Sequence, residues 1–234
     1  MERVRTATVV GVVGAAGGVG ASTHAALLAR RLSRSTSTVL VDLDRGGGGL
    51  DVVVGVEDVD GARWPDLRGA GGDVRGADVV ALLPRWGACA VLSADRTRPA
   101  PVDAGVRLDV LHALACGVGA LVLDLDRADV VDGDAPLAAC DAVVVVARPD
   151  LRSVAGSLAL RPRLHAAGTR CGLVVQGPAG LGAADLAEAS GLEVWHVGPA
   201  DRALAARAER VGPGGRGRAA RTADRVVRRL GLTA

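Results

Sequence analysis

Short apolar runs recur along the chain, most of them closed by a polar or charged residue, and stretches of helical character alternate with them. Val9–Val13 is the first run; Thr38–Asp42, Ala88–Leu92, Gly119–Asp124, Asp141–Ala147, Cys171–Gln176 and Leu192–His196 follow. Runs of this length without polar alternation suit strands buried on both faces, as in parallel sheets. Between them Ala21–Leu32, a stretch ending near Ala81–Arg85, Val102–Ala115, Leu151–Ala167 and Ala183–Ser190 read as helices. Pro162 predicts a kink or break in the fourth. Two Arg-rich helical stretches close the chain around Gly212-Pro213-Gly214-Gly215. The alternation predicts an α/β fold, a mostly parallel sheet with helices on both faces.

Composition narrows this picture. With 234 residues and 49% hydrophobic content, residues 1–234 are read as one domain. Phe and Tyr are absent and only three Trp occur, so Val, Leu and Ala must build the core. A net charge of +2 is too small to imply a nucleic-acid partner by itself. Cys89, Cys116, Cys140 and Cys171 are widely spaced and no secretory leader is expected ahead of them; they are expected to be small buried apolar residues in a reducing cytoplasm. The four His are equally scattered, which argues against a metal cluster. No apolar run reaches the ~18 residues of a membrane span. The expected location is the cytoplasm, with peripheral contact at the inner face of the membrane left open.

The candidate chemistry sits after the first strand. Val9–Thr23 runs from an apolar strand through a glycine-rich turn into a helix, the context of a phosphate-binding loop. Gly17, Gly18 and Gly20 let successive N–H groups converge, and the helix start adds its positive dipole end. Gly17, Gly18, Val19, Gly20, Ala21, Ser22 and Thr23 are therefore the candidate nucleotide-binding residues. The usual motif G-x-x-x-x-G-K-[ST] is nevertheless incomplete, with Ala15 at the first glycine and Ala21 at the lysine. No lysine occurs anywhere in the chain. Charge-assisted hydrogen bonds contribute roughly 1.5–3 kcal/mol each, so losing that lysine lowers nucleotide affinity on the order of tenfold to a hundredfold. Asp124 ends an apolar strand in the manner of a Walker B acid, holding magnesium through water, with Ser22 as the second candidate metal-binding residue. Asp42-Leu43-Asp44 ends another strand, where ligands bind in α/β sheets.

Ala16-Gly17-Gly18-Val19-Gly20-Ala21-Ser22-Thr23 resembles the deviant P-loop K-G-G-x-G-K-[ST]-T of the MinD/ParA superfamily, with both lysines replaced by alanine. Adding Asp42-Leu43-Asp44, Gly47-Gly48-Gly49-Leu50-Asp51, Arg63-Trp64-Pro65-Asp66-Leu67 and Leu83-Pro84-Arg85, the chain resembles the CpaE/TadZ branch, which includes actinobacterial septum-site-determining proteins. The resemblance runs through nearly the whole chain. It implies a P-loop NTPase fold, ATP and magnesium as cofactors, Asp44 as the switch residue that positions the attacking water, and Gln176 as the amide that reads adenine. Many members carry an N-terminal receiver-like domain; with the P-loop strand beginning almost at Met1, none is expected here. Ala16 replaces the lysine that crosses a nucleotide-sandwiched dimer. The four glycines at 46–49 suit either a mobile switch or a plain flexible loop. Arg127 is placed either to pair with Asp126 or Asp124 or to stand in part for the missing lysine.

The closing segment 202–234 holds nine arginines, among them Arg202, Arg207, Arg210, Arg216, Arg221, Arg225 and Arg228. Ala219, Ala223, Val226, Val227 and Leu230 form an apolar stripe opposite the arginines. Packing on the sheet with a solvated basic face, contact with an anionic membrane, and DNA binding all remain open, DNA being the least favoured. Three functional readings follow: a spatial regulator of division or pilus machinery with a degenerate nucleotide site and at most weak ATPase activity, acting as a homodimer; an active ATPase cycling on DNA or membrane; and a nucleotide-independent dimeric scaffold.

Overall fold

The apolar runs become strands of one sheet. The computed structural model describes residues 7–44, 48–72, 74–99, 102–177, 180–199, 201, 212–214 and 217–232. Among these, β1 (Thr8–Gly14), β2 (Thr38–Asp42), β3 (Arg85–Trp86), β4 (Cys89–Leu92), β5 (Ala120–Asp124), β6 (Ala142–Ala147), β7 (Arg170–Gln176) and β8 (Glu193–Gly198) lie in the order β3-β4-β2-β5-β1-β6-β7-β8. Every pairing is parallel except the short β3–β4 hairpin at one edge. β2, β4, β5 and β6 are buried along their whole length, which accounts for their unbroken apolar sequences.

Helices cover both faces. α1 (Ala21–Leu32), α2 (Leu50–Val54) and α8 (Arg218–Arg229) pack on one side of the sheet. α3 (Gly76–Leu82), α4 (Ala104–Gly117), α5 (Arg127–Asp132), α6 (Leu151–Ala167) and α7 (Ala183–Ser190) pack on the other. The two cores are built almost wholly from Val, Leu and Ala, with Trp64, Trp86 and Trp195 at their margins. β1 is the point from which the chain winds outward in both directions, so its carboxyl end opens at a crevice.

Two expectations need correction and a third is met. α6 runs unbroken through Pro162. That proline is exposed, so the carbonyl it leaves unpaired one turn earlier faces water. Cys89 and Cys140 are buried, but Cys116 is exposed and Cys171 half-buried. All four are free thiols. The reading in which the last helix packs with a solvated basic face holds: Ala219, Ala223, Val226 and Val227 are buried against α1, and Arg31 fastens the two helices through Asp224 at 2.7 Å. Arg221, Arg225, Arg228 and Arg229 stay exposed on its outer side. Arg45-Gly46-Gly47 of the glycine loop, and Arg202, Arg207, Arg210 and Arg216 of the basic tail, lie outside the described residues.

Candidate phosphate-binding site

β1 ends at Gly14, and the loop that follows is tied to β6 by Ala15 N donating to Val146 O at 2.8 Å. Gly18 (φ 71°) and Gly20 (φ 92°) adopt left-handed backbone that a side chain would strain. α1 then starts with no side-chain cap and no acidic residue in its first turn. The N–H groups of Ala21, Ser22 and Thr23 therefore have no intrahelical acceptor, and the positive helix end faces the loop mouth. A helix start of this kind can receive an anion. α6 supports the loop from below: a Cβ on Gly156 would overlap the Ala15 carbonyl oxygen, so only glycine lets the helix approach this closely.

Across the loop lie the carboxylates. β5 is inserted between β1 and β2, which sets Asp124 beside Val12 on one flank and beside Asp42 on the other. Burial pushes the Asp124 carboxyl up to about 8; hydrogen bonding from Ser22 acts the opposite way, and the charges of Asp42, Asp44 and Asp126 add to the rise. Asp42 is a fastening point. Its Oδ2 accepts from Leu50 N at 2.9 Å and from Ser93 Oγ and Ala94 N, both at 3.4 Å. Its Oδ1 accepts from Asp44 N at 3.1 Å, and its carbonyl from Trp64 Nε1 at 2.6 Å. Burial raises this group to about 6, less than Asp124 because three backbone N–H groups hold its charged form. Asp44 lies half-buried on a cavity of about 410 Å³ that Leu43, Gly49, Trp64, Pro65 and Arg107 also line.

The Arg63-Trp64-Pro65-Asp66-Leu67 segment closes this region. The buried Arg63 guanidinium donates to Asp51 Oδ2 at 3.3 Å and to the carbonyls of Val56, Val59 and Gly61 at 3.0–3.2 Å. Ser93 Oγ bridges the two segments, accepting from Asp51 N at 3.1 Å while donating to Asp42 Oδ2. Removing either partner of the buried Arg63–Asp51 pair would strand a charge.

Gln176 is hydrogen-bonded within the chain. It ends β7, and its Nε2 lies 2.6 Å from Nε2 of His24 and 3.4 Å from Oγ1 of Thr222 on α8. His24 Nδ1 lies 2.8 Å from the Gly20 carbonyl, which can only accept, so Nδ1 carries the proton and Nε2 accepts from the amide. Burial lowers the His24 pKa and keeps the ring neutral. The amide thus links His24, bonded to Gly20 of the glycine-rich loop, to the last helix.

The structure brings Gly17 to Thr23, Asp44 and Asp124 to one end of the sheet and puts Gln176 two strands from β1. Arg127 pairs with neither Asp126 nor Asp124. Asp126 instead caps α5, accepting from Ala128 N at 2.7 Å, and Arg127 points to solvent. Among the described residues, Arg148 is the cation that reaches the loop: its Nη2 donates to the Gly18 carbonyl at 2.7 Å. Nothing in the local sequence around Arg148, His24 or Ser93 marks them out; only the strand order places them here.

Among the described residues, no cluster of three or more His, Cys, Asp or Glu is arranged to hold a metal ion, and no helix is long and apolar enough to cross a membrane. No protein-family model matches the sequence. An uncharacterized protein of Mycobacterium tuberculosis strain H37Rv, Rv3660c, is 41% identical over 186 residues, 79% of this chain and 52% of the relative. The chain thus spans about half the length of the curated relatives it matches. MinD in the MinC:MinD cell division protein complex of Aquifex aeolicus superposes with a TM-score of 0.78 at 18% identity, over 97% of both chains. The chain has the MinD/ParA fold. A ParA family ATPase from Chlorobium tepidum TLS shares this fold with a TM-score of 0.77 at 18% identity, covering 89% of this chain and 90% of its own. The septum site-determining protein MinD of Pyrococcus horikoshii OT3, complexed with Mg-ADP, matches with a TM-score of 0.73 at 17% identity over 96% of both chains.

Proposed function

We propose that this chain is a spatial regulator of the MinD/ParA kind, with a degenerate nucleotide site that binds ATP weakly and turns it over slowly or not at all. The observation that carries the reading is the uncapped start of α1 beside the Asp124–Ser22 pair, without a lysine at Ala16 or Ala21. A solved relative, MinD of Pyrococcus horikoshii, holds Mg-ADP, which supports nucleotide as the ligand. The Ser22 hydroxyl and the Asp124 carboxyl form an oxygen-only donor set, which fits a hard cation such as magnesium. Bound there, magnesium would neutralise phosphate charge that this chain has no loop lysine to meet. Asp44 stands beside them as the residue to position water.

The regulator acts as a homodimer and addresses division or pilus machinery; for division, the support is that its structural neighbours include MinD of a MinC:MinD cell division complex and a septum site-determining MinD. Its arginine-bearing α8 face meets anionic membrane only weakly, DNA being the alternative surface. Calorimetry of the purified chain with ATP and magnesium tests the proposal. Micromolar or poorer affinity that depends on magnesium is expected, with slow turnover. A nanomolar constant or rapid hydrolysis would show an intact catalytic site and overturn it.

A second reading is the nucleotide-independent scaffold. The hydrogen-bonded His24–Gln176–Thr222 chain favours it, because the amide expected to read a base is already engaged. Absence of binding by any nucleotide would select it.

A further inference from the structure

We propose that Arg148 supplies the cation for phosphate binding at this P-loop, delivered from the β6–α6 turn rather than from the loop itself. The inference rests on the nucleotide reading above. A polyphosphate entering the cradle meets Asp42, Asp44, Asp124 and Asp126 on the far side and no lysine in the loop. Backbone N–H groups orient phosphate but carry no full charge. Among the described residues, Arg148 is the cationic side chain hydrogen-bonded to the loop.

Its position is built rather than incidental. β6 leads straight into Arg148, whose backbone N–H donates to the fully buried Ser153 Oγ at 2.9 Å. Ser153 N in turn donates to Asp150 Oδ1 at 2.8 Å, capping α6. Ala15 N bonds Val146 O at 2.8 Å, and Gly156 lets α6 close against the Ala15 carbonyl. The turn and the loop are therefore one packed unit, with the guanidinium on the rim at Gly18, two residues before Gly20. Arg148 is exposed, and no carboxylate among the described residues pairs with it. One N–H is spent on Gly18, and four of the five remain for phosphate oxygens in the fork geometry that suits them. Other arginines near this end of the sheet make no such contact: Arg96 pairs with Asp58, Arg107 pairs with Asp129, and Arg127 is exposed.

The test is calorimetric titration of the full chain with ATP and magnesium, and separately with pyrophosphate and magnesium. Arg148→Ala should weaken both roughly tenfold to a hundredfold, the loss of one charge-assisted contact. Arg148→Lys should recover part of it. Arg152→Ala, an exposed arginine on the adjoining turn of α6, should change nothing. Adding Ala21→Lys to Arg148→Ala should restore affinity by returning a charge from the other side. Urea midpoints of all variants should match, separating lost contact from lost fold. If wild type binds ATP and Arg148→Ala binds it equally well, the role assigned to Arg148 falls and the nucleotide reading stands. If wild type binds neither ATP nor pyrophosphate, the nucleotide reading falls and takes this one with it.

Discussion

Replacing Asp124 by asparagine should flatten the dependence of stability on pH across a defined window. The Asp124 carboxyl is raised from 3.8 to about 8, chiefly by burial, so the folded chain keeps a proton that the unfolded chain releases. Its contribution is complete below the unfolded pKa and is lost as pH rises through the folded one. Asp42, raised to about 6, acts with the same sign but is spent by that pH. His24 and His196 are lowered from 6.5, so their influence falls below that value and has the opposite sign. The buried thiols Cys89 and Cys140 are pushed up to about 12 and do not titrate here. Between pH 6.5 and 8 the slope of these shifted groups is therefore that of Asp124, about 1.4 kcal/mol per pH unit, or roughly 2 kcal/mol over the window. Urea unfolding at half-unit steps, without nucleotide or magnesium, measures it. Wild type should lose that amount and Asp124→Asn should not. Parallel slopes in the two proteins would refute the assignment of a buried, protonated carboxyl at this position.

Ala21→Lys alone should tighten ATP binding tenfold or more, since the glycine frame already supplies the geometry; unchanged affinity in calorimetry would mean that the loop does not cradle phosphate. Gly156→Ala should lower stability by about 1–3 kcal/mol and weaken ATP binding together, because the new Cβ displaces α6 from the Ala15 carbonyl. Urea unfolding and calorimetry check both, and a neutral result in each would contradict the close packing. Retention on anionic vesicles should be weak and reversed by salt, each exposed arginine of α8 contributing ~1 kcal/mol near the surface. Retention that survives high salt would mean insertion, which the burial of Ala219, Ala223, Val226 and Val227 opposes; a salt-dependent DNA shift without vesicle binding would point to the other surface.

The parts of the fold that announce themselves in the sequence are those that burial alone determines. β2, α1, α6 and α7 have the bounds their patterns predict, because a fully covered strand must be apolar throughout and helices end where the periodicity does. β3 has two residues and α5 six, too few for a period to show. Pro162 misleads because the rule against interior proline is weakest on a solvent-facing turn. At the site, Ser22 and Asp124 are legible since motif spacing fixes them to a helix start and a strand end. Arg148 reaches Gly18 across 130 positions of sequence, and Gln176 reaches His24 across 152. Such pairs exist only once β6 has been placed beside β1 and β7 beside β6.

The margins of the sheet constrain how copies of this protein can meet. One margin ends in the two-residue, antiparallel β3, with Arg85 exposed upon it. The other is β8, irregular where it pairs with Leu173 and Val174 and bearing the exposed Glu193. Short, charged or bulged edges are poor templates for adding a strand from a second chain. Sheet extension into fibres or edge-to-edge dimers is accordingly disfavoured at both margins. Among the described residues, self-association is left to the helix surfaces and to the loops at the strand ends, the same end of the molecule where the glycine-rich loop opens.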